Sequence, residues 1–184
     1  MKLFNLFGLA TTAILTAAVS AVSSGLAPGD LAVVSDHISS FIPSPLAGPN
    51  LDTLGERSVD MTQVYDEELS ALVKQLGEEN GLSVGEGVLV EAAGPQSGTP
   101  AEIRMYEAIG ADMAGMCMVD EAIAARHMGM RVCAAALIAD MAAGVEPREQ
   151  EGADAARTAA EEEAAFRGLI GSLIAELAPT EELY

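Results

Sequence analysis

The sequence predicts an α/β domain in which helices cover both faces of a mostly parallel or mixed central sheet. Short apolar runs alternate along the chain with segments of helical periodicity, which is the pattern of strand–helix units. Half of the residues are hydrophobic, yet only four are phenylalanine, three are tyrosine and none is tryptophan. Small side chains must therefore do much of the packing. A chain of 184 residues is long enough for one domain with a substantial core.

The amino-terminal segment, residues 1–27, is apolar and has three open interpretations. No charged residue occurs from Leu3 to Gly29. Because a basic start, an apolar run and the small residues Val19-Ser20-Ala21 follow one another, a signal peptide is one interpretation. A membrane anchor through residues 3–27 is the second, since the run is long enough to cross a bilayer.

The third interpretation places the same segment inside the domain. Leu3–Phe7 would end a helix at Gly8, and Thr12–Val19 would form a buried strand, because parallel strands have nearly unbroken apolar sequences. The frequent threonine, serine and alanine residues weaken the membrane signal. We therefore favour the strand, and with it a cytoplasmic location over secretion or anchoring.

The remaining elements lie in a domain over residues 28–178, followed by a tail at 179–184. Residues 41–61 are rich in proline, glycine, asparagine and serine, which predicts a long surface loop. Helices and strands alternate around it, and the last helix places its apolar residues on one stripe. The predicted strands are Leu31–Ser35, Val88–Ala92, Met113–Met118 and Arg131–Ala139, and the predicted helices are Asp66–Leu76, Thr99–Gly110, Asp120–Met128 and Ala153–Leu177.

The clearest helix start is Thr99-Pro100-Ala101-Glu102. Thr99 can cap the helix, Pro100 suits the first helical position, and the Glu102 side chain can reach back to the cap. Asp120 is the expected cap of the following helix. Ligands of α/β sheets usually lie beyond the carboxyl ends of the strands. The candidate site positions are therefore Asp36-His37, Gly94–Thr99, Met116–Val119 and Ala139–Met141.

The composition excludes some functions. The net charge is −19 and the chain has nine lysines and arginines, so a nucleic-acid partner is not expected. Cys117 and Cys133 have apolar neighbours, which predicts buried free thiols. With no CxxC motif and no cluster of histidine and cysteine, we expect no metal site.

Several segments resemble the trimeric purine nucleoside phosphorylases. The order and spacing of the matching motifs hold from about Gly25 to Gly144, and the likeness is weak over residues 3–24. The matching segments are Pro28-Gly29-Asp30-Leu31, Ser35-Asp36-His37-Ile38, Pro45-Leu46-Ala47-Gly48-Pro49-Asn50, Gly94-Pro95-Gln96, Thr99-Pro100-Ala101-Glu102-Ile103-Arg104, Gly110-Ala111-Asp112, Gly115-Met116, Ala124-Ala125-Arg126-His127, Gly129-Met130-Arg131-Val132 and Met141-Ala142-Ala143-Gly144.

The resemblance implies an amino-terminally truncated phosphorylase fold. Members of this family cleave purine nucleosides with inorganic phosphate as co-substrate and need no other cofactor. The family's glycine-rich phosphate loop and the histidine-bearing segment after it have no counterpart in this chain. The resemblance also implies oligomers, so we expect a homo- or hetero-oligomer.

Most ligand contacts implied by the resemblance are replaced. Ser97 and Gly98 stand where the family has an aromatic residue and the glutamate that holds the purine. The other replaced positions are Cys117 for a phosphate-contacting serine, Ala139 in a threonine–asparagine pair, Gln150 for a ribose-binding histidine and Ser58 for an aromatic residue of the neighbouring subunit.

Two positions keep a possible ligand role. Met116 matches the family and can pack under a sugar or base, although a core role is equally expected. Asp140 replaces the asparagine that supports the purine, and it could donate a proton if burial raised its pKa; a solvated strand-end residue is the simpler interpretation. His37 and His127 match family positions that look structural.

The sequence therefore predicts a phosphorylase-like protein without catalytic residues, retained as a structural or interaction subunit. A working purine nucleoside phosphorylase completed by a partner chain is the alternative. A purine-binding module without catalysis is a third hypothesis. Residues 41–61 and the acidic segment from Glu146 to Tyr184 are the expected contact surfaces.

Overall fold

Five strands and four helices are present in the computed structural model, which describes residues 11–146 and 159–177. Their order is β1, β2, α1, β3, α2, β4, α3, β5, α4. The strands are β1 (Thr12–Ala21), β2 (Leu31–Ile38), β3 (Val84–Glu91), β4 (Met113–Gly115) and β5 (Arg131–Met141). The helices are α1 (Glu67–Glu79), α2 (Pro100–Ala108), α3 (Val119–His127) and α4 (Ala159–Leu177).

The strands form one mixed sheet that closes into a barrel in the order β1-β4-β3-β2-β5. β1 and β5 are parallel, and β2, β3 and β4 are parallel to one another in the opposite direction. This confirms the predicted α/β class with a mixed sheet and covering helices. The closure was not predicted, because it depends on β4, which has only three residues.

Two hydrophobic clusters lie on opposite sides of the sheet wall. On one side, α1 and α4 cover β2 and β5, and the central side chains include Leu31, Val33, Cys133, Leu169 and Leu173. On the other side, residues of α3 and of all five strands form one cluster. Small side chains permit this close packing, because Ala134 and Ala136 of β5 are fully buried there.

Helix starts follow the local polar residues. In α1, the Asp66 carboxylate accepts a hydrogen bond from the Leu69 amide at 3.0 Å. The predicted capping box of α2 is confirmed, because Thr99 and Glu102 bond each other's backbone amides. The predicted Asp120 cap was wrong: the cap of α3 is Met118, at a φ of 85°.

Three predicted strand boundaries were also wrong, and the first is the end of β2, which lies at Ile38 and not at Ser35. Met113–Met118 is a strand only as far as Gly115, because Glu121 binds the Met118 amide and starts α3. β3 begins before the predicted Val88, and its first half contains Gly85 and Gly87. Glycines usually weaken strands, but a Cβ at Gly87 would lie 2.6 Å from Asp112 Cβ. A close approach therefore requires this glycine.

Several predictions fall partly outside the described residues. The helix at Leu3–Phe7, the start of the last helix at Ala153 and the tail 179–184 lie there. The apolar run Thr12–Val19 belongs to β1, so its interpretation as a strand is confirmed. Within residues 11–146 and 159–177, no helix is both long and apolar enough to cross a membrane. The division at residue 28 stays a prediction.

The last helix and the two thiols differ in part from the predictions. Leu169 and Leu173 of α4 are buried, but Ile174 and Leu177 are exposed, so the apolar stripe is only half covered. Cys133 is buried as predicted, whereas Cys117 is only half-buried. Both cysteines are free thiols.

Candidate functional site

One row of paired residues brings the ends of several strands together. Reading across the ladders, Ile38 pairs with Val90, Val90 with Ala114, Ala114 with Ser20, and Ser20 with Asp140. Neighbouring strands are about 4.8 Å apart, so this row places Asp140 about 10 Å from Ala114. The predicted positions after β3, β4 and β5 therefore lie at one end of the barrel, although the strands run in two directions.

The loop after β3 contains a cis peptide bond between Gly94 and Pro95. Met116 lies against this loop, since a Cβ on Gly94 would be 2.6 Å from Met116 Sδ. The Met116 side chain is 46% exposed. It is therefore a surface residue at the site end of the barrel and not an ordinary core residue.

The two replaced positions in this loop face different surroundings. Ser97 is exposed, and Gly98 is half-buried against α2. A Cβ at Gly98 would lie 2.8 Å from Ile103 Cδ1, and the Tyr106 ring is also close. A larger side chain at Gly98 would thus require α2 to shift or Ile103 to move. Gly98 has no side chain to accept a hydrogen bond from a base, and the Ser97 hydroxyl, which can accept one, is on an exposed residue.

Ala139 and Asp140 are both exposed near the end of β5. A proton-donating role for Asp140 was predicted only for a buried side chain, and Asp140 is exposed. Gln150 lies outside the described residues.

A buried carboxylate that was not predicted lies at the end of β3. Glu91 is 5% exposed, and its Oε2 atom accepts hydrogen bonds from the amides of Val119 at 2.7 Å and Asp120 at 3.3 Å. A second carboxylate, that of Glu121, accepts from the Met118 amide at 2.8 Å. The chain's own acids therefore satisfy the free amides at the start of α3.

The carboxylates near Glu91 lie close to one another and are partly shielded from solvent. Burial raises the pKa of Glu91, and the nearby Asp120 and Glu121 raise it further, while the two amides oppose the shift. Burial and Glu121 also raise the pKa of Asp120. Asp120 Oδ1 is buried and has no hydrogen-bond partner among the described residues.

The Cys117 thiol is beside the same acids. Burial raises its pKa, and the charges of Glu121 and Glu91 raise it further. The protonated thiol is a weak hydrogen-bond donor and a weak nucleophile. Cys117 is therefore poorly suited to bind an anion or to attack a substrate.

A second concave surface lies under the long loop. A pocket of about 750 Å³ is lined by hydroxyl, apolar and basic groups, among them His37, Ser39, Arg57, Ser58 and Met61. Arg57 is already engaged, since its Nη1 donates to the carbonyls of Leu46 and Gly48 at 2.8 and 2.9 Å. The pocket therefore includes Ser58, the position at which the family has an aromatic residue.

The two histidines make contacts that support the fold. His37 Nδ1 lies 3.0 Å from the Tyr65 hydroxyl, and burial lowers the pKa of His37 while Asp36 raises it. His127 is buried at the end of α3, and its Nε2 lies 3.2 Å from Asn50 Oδ1 in the long loop. Both imidazole rings are therefore engaged in contacts within the fold and are not available to a ligand at the ends of β3, β4 and β5.

Comparison with known proteins agrees with this architecture. The model of the phosphorylase superfamily matches residues 3–175. The chain belongs to this superfamily. Its motifs from Gly25 to Gly144 therefore mark a family fold, as the resemblance implied.

Its relatives are purine nucleoside phosphorylases. The chain is 46% identical over 132 residues to purine nucleoside phosphorylase 1 of Geobacillus stearothermophilus, a match that covers 72% of this chain and 48% of the relative. With purine nucleoside phosphorylase 1 of Bacillus subtilis it is 33% identical over 163 residues, covering 89% and 60%. The chain therefore spans about half to three fifths of these relatives.

A solved structure shows the same relation in three dimensions. The crystal structure of a Schistosoma purine nucleoside phosphorylase in complex with hypoxanthine superimposes with a TM-score of 0.79 at 29% identity. The match covers 91% of this chain and 63% of that one.

Glu91 is the site-end residue that the sequence prediction missed. A signal was present, because an acid ends the apolar run Val88-Leu89-Val90 directly before a loop. A charged residue at that position needs a partner if it is buried. Its partners, however, are amides 28 and 29 residues further along the chain, which the sequence pattern does not reveal.

Proposed function

We propose that this chain is a phosphorylase-superfamily protein that does not catalyse phosphorolysis and acts as a structural or interaction subunit. The observation that supports this most strongly is the occupation of the α3 amino terminus by Glu91 and Glu121. A phosphate needs amide donors and positive charge. At this end of the barrel an anion would meet three carboxylates, those of Glu91, Asp120 and Glu121.

The replaced side chains support the same proposal. Phosphorolysis needs a group that stabilises the negative charge developing on the leaving purine. Gly98 has no side chain for this role, and Asp140 is an exposed carboxylate that repels such charge at neutral pH. The Cys117 thiol is a poor replacement for a phosphate-binding hydroxyl.

A phosphorolysis assay tests this proposal. Purified chain at high concentration is incubated with inosine, guanosine or adenosine, with and without inorganic phosphate, and free base is measured by chromatography. The Geobacillus stearothermophilus relative is the positive control. We expect no phosphate-dependent release of base; any release of base that requires phosphate would contradict the proposal.

Purine binding without catalysis is a second candidate, and the exposed Met116 favours it. A thioether lying on a glycine loop offers an apolar surface on which a base can stack. If the chain binds free bases, hypoxanthine or guanine at millimolar concentration will raise its melting temperature, whereas phosphate will not. Met116→Ala should abolish the shift, and the matched control Met105→Ala, exposed on α2, should retain it.

We also propose that the chain remains intact in the cytoplasm and assembles with itself or another protein. Cleavage before Val22 would remove the whole of β1, which pairs with β5 along its full length. Fractionation with amino-terminal sequencing and a native mass measurement test this. A mature protein that begins at Val22, or a chain in the membrane fraction, would contradict it.

A further inference from the structure

No carboxylate of the described residues lines the pocket under the long loop, although the chain has 28 aspartates and glutamates. The acids nearest to it in sequence have other partners. Asp36 Oδ1 accepts from the His37 amide at 2.7 Å, and Asp60 Oδ1 accepts from the amide and the hydroxyl of Thr62 at 2.9 and 2.6 Å. In a chain of net charge −19, a concave surface without carboxylates is a favourable place for an anion.

Arg57 supplies the positive charge of this pocket. Its Nη1 atom donates to the carbonyls of Leu46 and Gly48, and among the described residues no carboxylate forms a salt bridge with it. A guanidinium carries five N–H groups. Those on Nη2 and Nε therefore have no acceptor in the described part of the chain. The two carbonyls hold the group in place, which reduces the entropy lost when its other N–H groups bind a ligand.

His37 adds a neutral donor whose tautomer is fixed by Tyr65. The Tyr65 hydroxyl is buried, and its hydrogen-bond partner is His37 Nδ1 at 3.0 Å. A buried hydroxyl that kept its proton unshared would lose a hydrogen bond, so Tyr65 donates and Nδ1 accepts. The proton of the neutral ring is then on Nε2. Because burial lowers the pKa of His37 against the opposing charge of Asp36, the ring is neutral at pH 7.

The serines of the lining can donate as well. Ser39 and Ser58 make no hydrogen bond with another described residue. Ser44 Oγ accepts from the Leu46 amide at 3.2 Å, which leaves its own proton for another acceptor. The polar side chains around the pocket are therefore all able to donate, and none of them is negatively charged.

Contacts with α3 hold the long loop in its place over the pocket. Asn50 donates to the Gly55 carbonyl at 2.9 Å, and its Oδ1 lies 3.2 Å from His127 Nε2. Further along the loop, Arg126 Nε donates to the Asp60 carbonyl at 3.3 Å. The pocket is therefore formed before any ligand arrives, and its volume of about 750 Å³ is in the usual range for small-molecule sites.

We propose that the pocket under the long loop binds a small monocarboxylate with an aliphatic body, whose carboxylate contacts Arg57 and His37. A planar guanidinium matches a carboxylate in shape, and one positive charge balances one negative charge. Phosphate, which is largely a dianion at neutral pH, needs more positive charge than this lining has. The aliphatic body has apolar neighbours, since Ile38, Leu46 and Ile123 also line the pocket.

This binding role goes beyond the function proposed above. The lining of the pocket does not include Met116, Cys117 or Asp140, the positions on which the question of phosphorolysis depends. It is tested without nucleoside, so either result of the phosphorolysis assay leaves it standing.

A titration of the full chain with hexanoate tests the proposal, followed by two-dimensional amide NMR. We expect saturable shifts in the segments that line the pocket, with a dissociation constant of about 1 mM or tighter. Hexan-1-ol and hexylamine have the same aliphatic body and should bind at least about tenfold more weakly. No saturable shift at about 10 mM hexanoate, or equal binding of the alcohol, would overturn the proposal. Tighter binding of inorganic phosphate than of hexanoate would also overturn it.

Substitutions at Ser58 locate the anion. Ser58 is exposed, so Ser58→Asp should fold, and its new carboxylate should compete with hexanoate for Arg57. We expect at least about tenfold weaker binding. The matched control Ser58→Asn has nearly the same shape without the charge, and it should bind hexanoate as the native chain does. Equal affinities of the two variants would show that the carboxylate does not lie at Arg57.

A second pair separates a specific contact from the overall charge. Arg57→Gln and Arg104→Gln each remove one positive charge, and both arginines are exposed. Only Arg57→Gln should weaken hexanoate binding, again by at least about tenfold. Equal losses in both variants would count against the site. If Arg57→Gln lowers the melting temperature through its two loop carbonyls, the Ser58 pair decides, because it leaves Arg57 in place.

Discussion

The two ends of β1 differ in whether their backbone N–H and C=O groups are paired. At its carboxyl end, Val22 and Ser23 donate to the Asp112 carbonyl, and Ala21 accepts from Ala142. From Thr12 to Ala18, every second residue presents backbone groups that no described strand pairs with. The difference teaches that, among the described residues, backbone polar groups are paired where the strands converge, whereas no strand pairs with those along the rest of this side of β1.

Asp112 connects several strands at the carboxyl end of β1, which we call the convergent end. Its carboxylate accepts from the Val88 amide at 2.9 Å and from the Ser23 hydroxyl at 3.3 Å, while its own amide donates to the Val88 carbonyl. One residue therefore links the end of β1, the middle of β3 and the start of β4. The same end holds the Glu91 carboxylate, so the carboxylates of Asp112 and Glu91 already have structural partners there.

The largest effect is expected from Asp112→Ala. The substitution leaves the Val88 amide without its side-chain acceptor, and it should lower the free energy of unfolding by about 3 kcal/mol. Urea denaturation measures this. Ser23→Ala removes only the weaker hydroxyl bond and should cost less than about 1 kcal/mol. Equal losses in the two variants would mean that Asp112 does not hold the convergent end together.

Gly87→Ala should have the next largest effect. Its new Cβ would approach Asp112 Cβ to 2.6 Å, so the two strands must separate, at a cost of about 2 kcal/mol. Gly171→Ala in α4 is the matched control, because nothing lies within 4 Å of its Cβ position. In a helix that change should stabilise by up to about 1 kcal/mol. A harmless Gly87→Ala would show that β3 has room at Asp112.

The environment of Glu91 predicts the direction in which the stability of the protein changes with pH. Because burial raises its pKa above the ordinary 4.5, the contribution of Glu91 to stability is complete below pH 4.5 and decreases as the pH rises through its folded value. The stability of the native protein relative to Glu91→Gln should therefore fall as the pH rises from 4.5. Denaturation of both proteins between pH 4 and about 8 measures the difference.

Glu102→Gln provides the control of opposite sign. The Thr99 amide and hydroxyl lower the pKa of Glu102, so its contribution is present above pH 4.5 and is lost as the pH falls through the folded value. The stability of the native protein relative to this variant should rise with pH. A pH profile of the same sign in both variants would contradict the environment described for Glu91.

The smallest expected effect is a difference in reactivity between the thiols of Cys117 and Cys133. Burial raises the pKa of Cys133 to about 11, and Cys117 is half-buried, so the native chain should expose one slowly reacting thiol to an aromatic disulfide reagent. Cys117→Ser should remove that reaction, and Cys133→Ser should not. Two equally reactive thiols would show that the cover of α1 and α4 over β5 is loose.

Local signals in the sequence predicted the helices and strands well, but they did not predict that the sheet closes into a barrel. The Thr99–Glu102 box and the apolar run of β5 depend on neighbours in sequence, so pattern was sufficient. The cap of α3 instead uses Glu91, far away in the chain, and β4 is too short to have a periodicity. For the candidate site, the positions after β3, β4 and β5 were predicted from pattern, whereas the exposure of Asp140 and the burial of Glu91 required the folded arrangement.

β4 has only three residues, and this length determines how β1 and β3 are held together in the barrel. Three residues join β3 to β1 at one corner, and away from that corner no described strand lies between these two strands. In terms of shape, the described barrel is closed between β1 and β3 at one end only. On the other side of the barrel, the separation of β1 and β3 is set through β5 and β2, by the long ladders β1–β5 and β2–β3 and the shorter ladder between β2 and β5. The three residues of β4 therefore act as the short connection in a barrel whose other strands have eight to eleven residues.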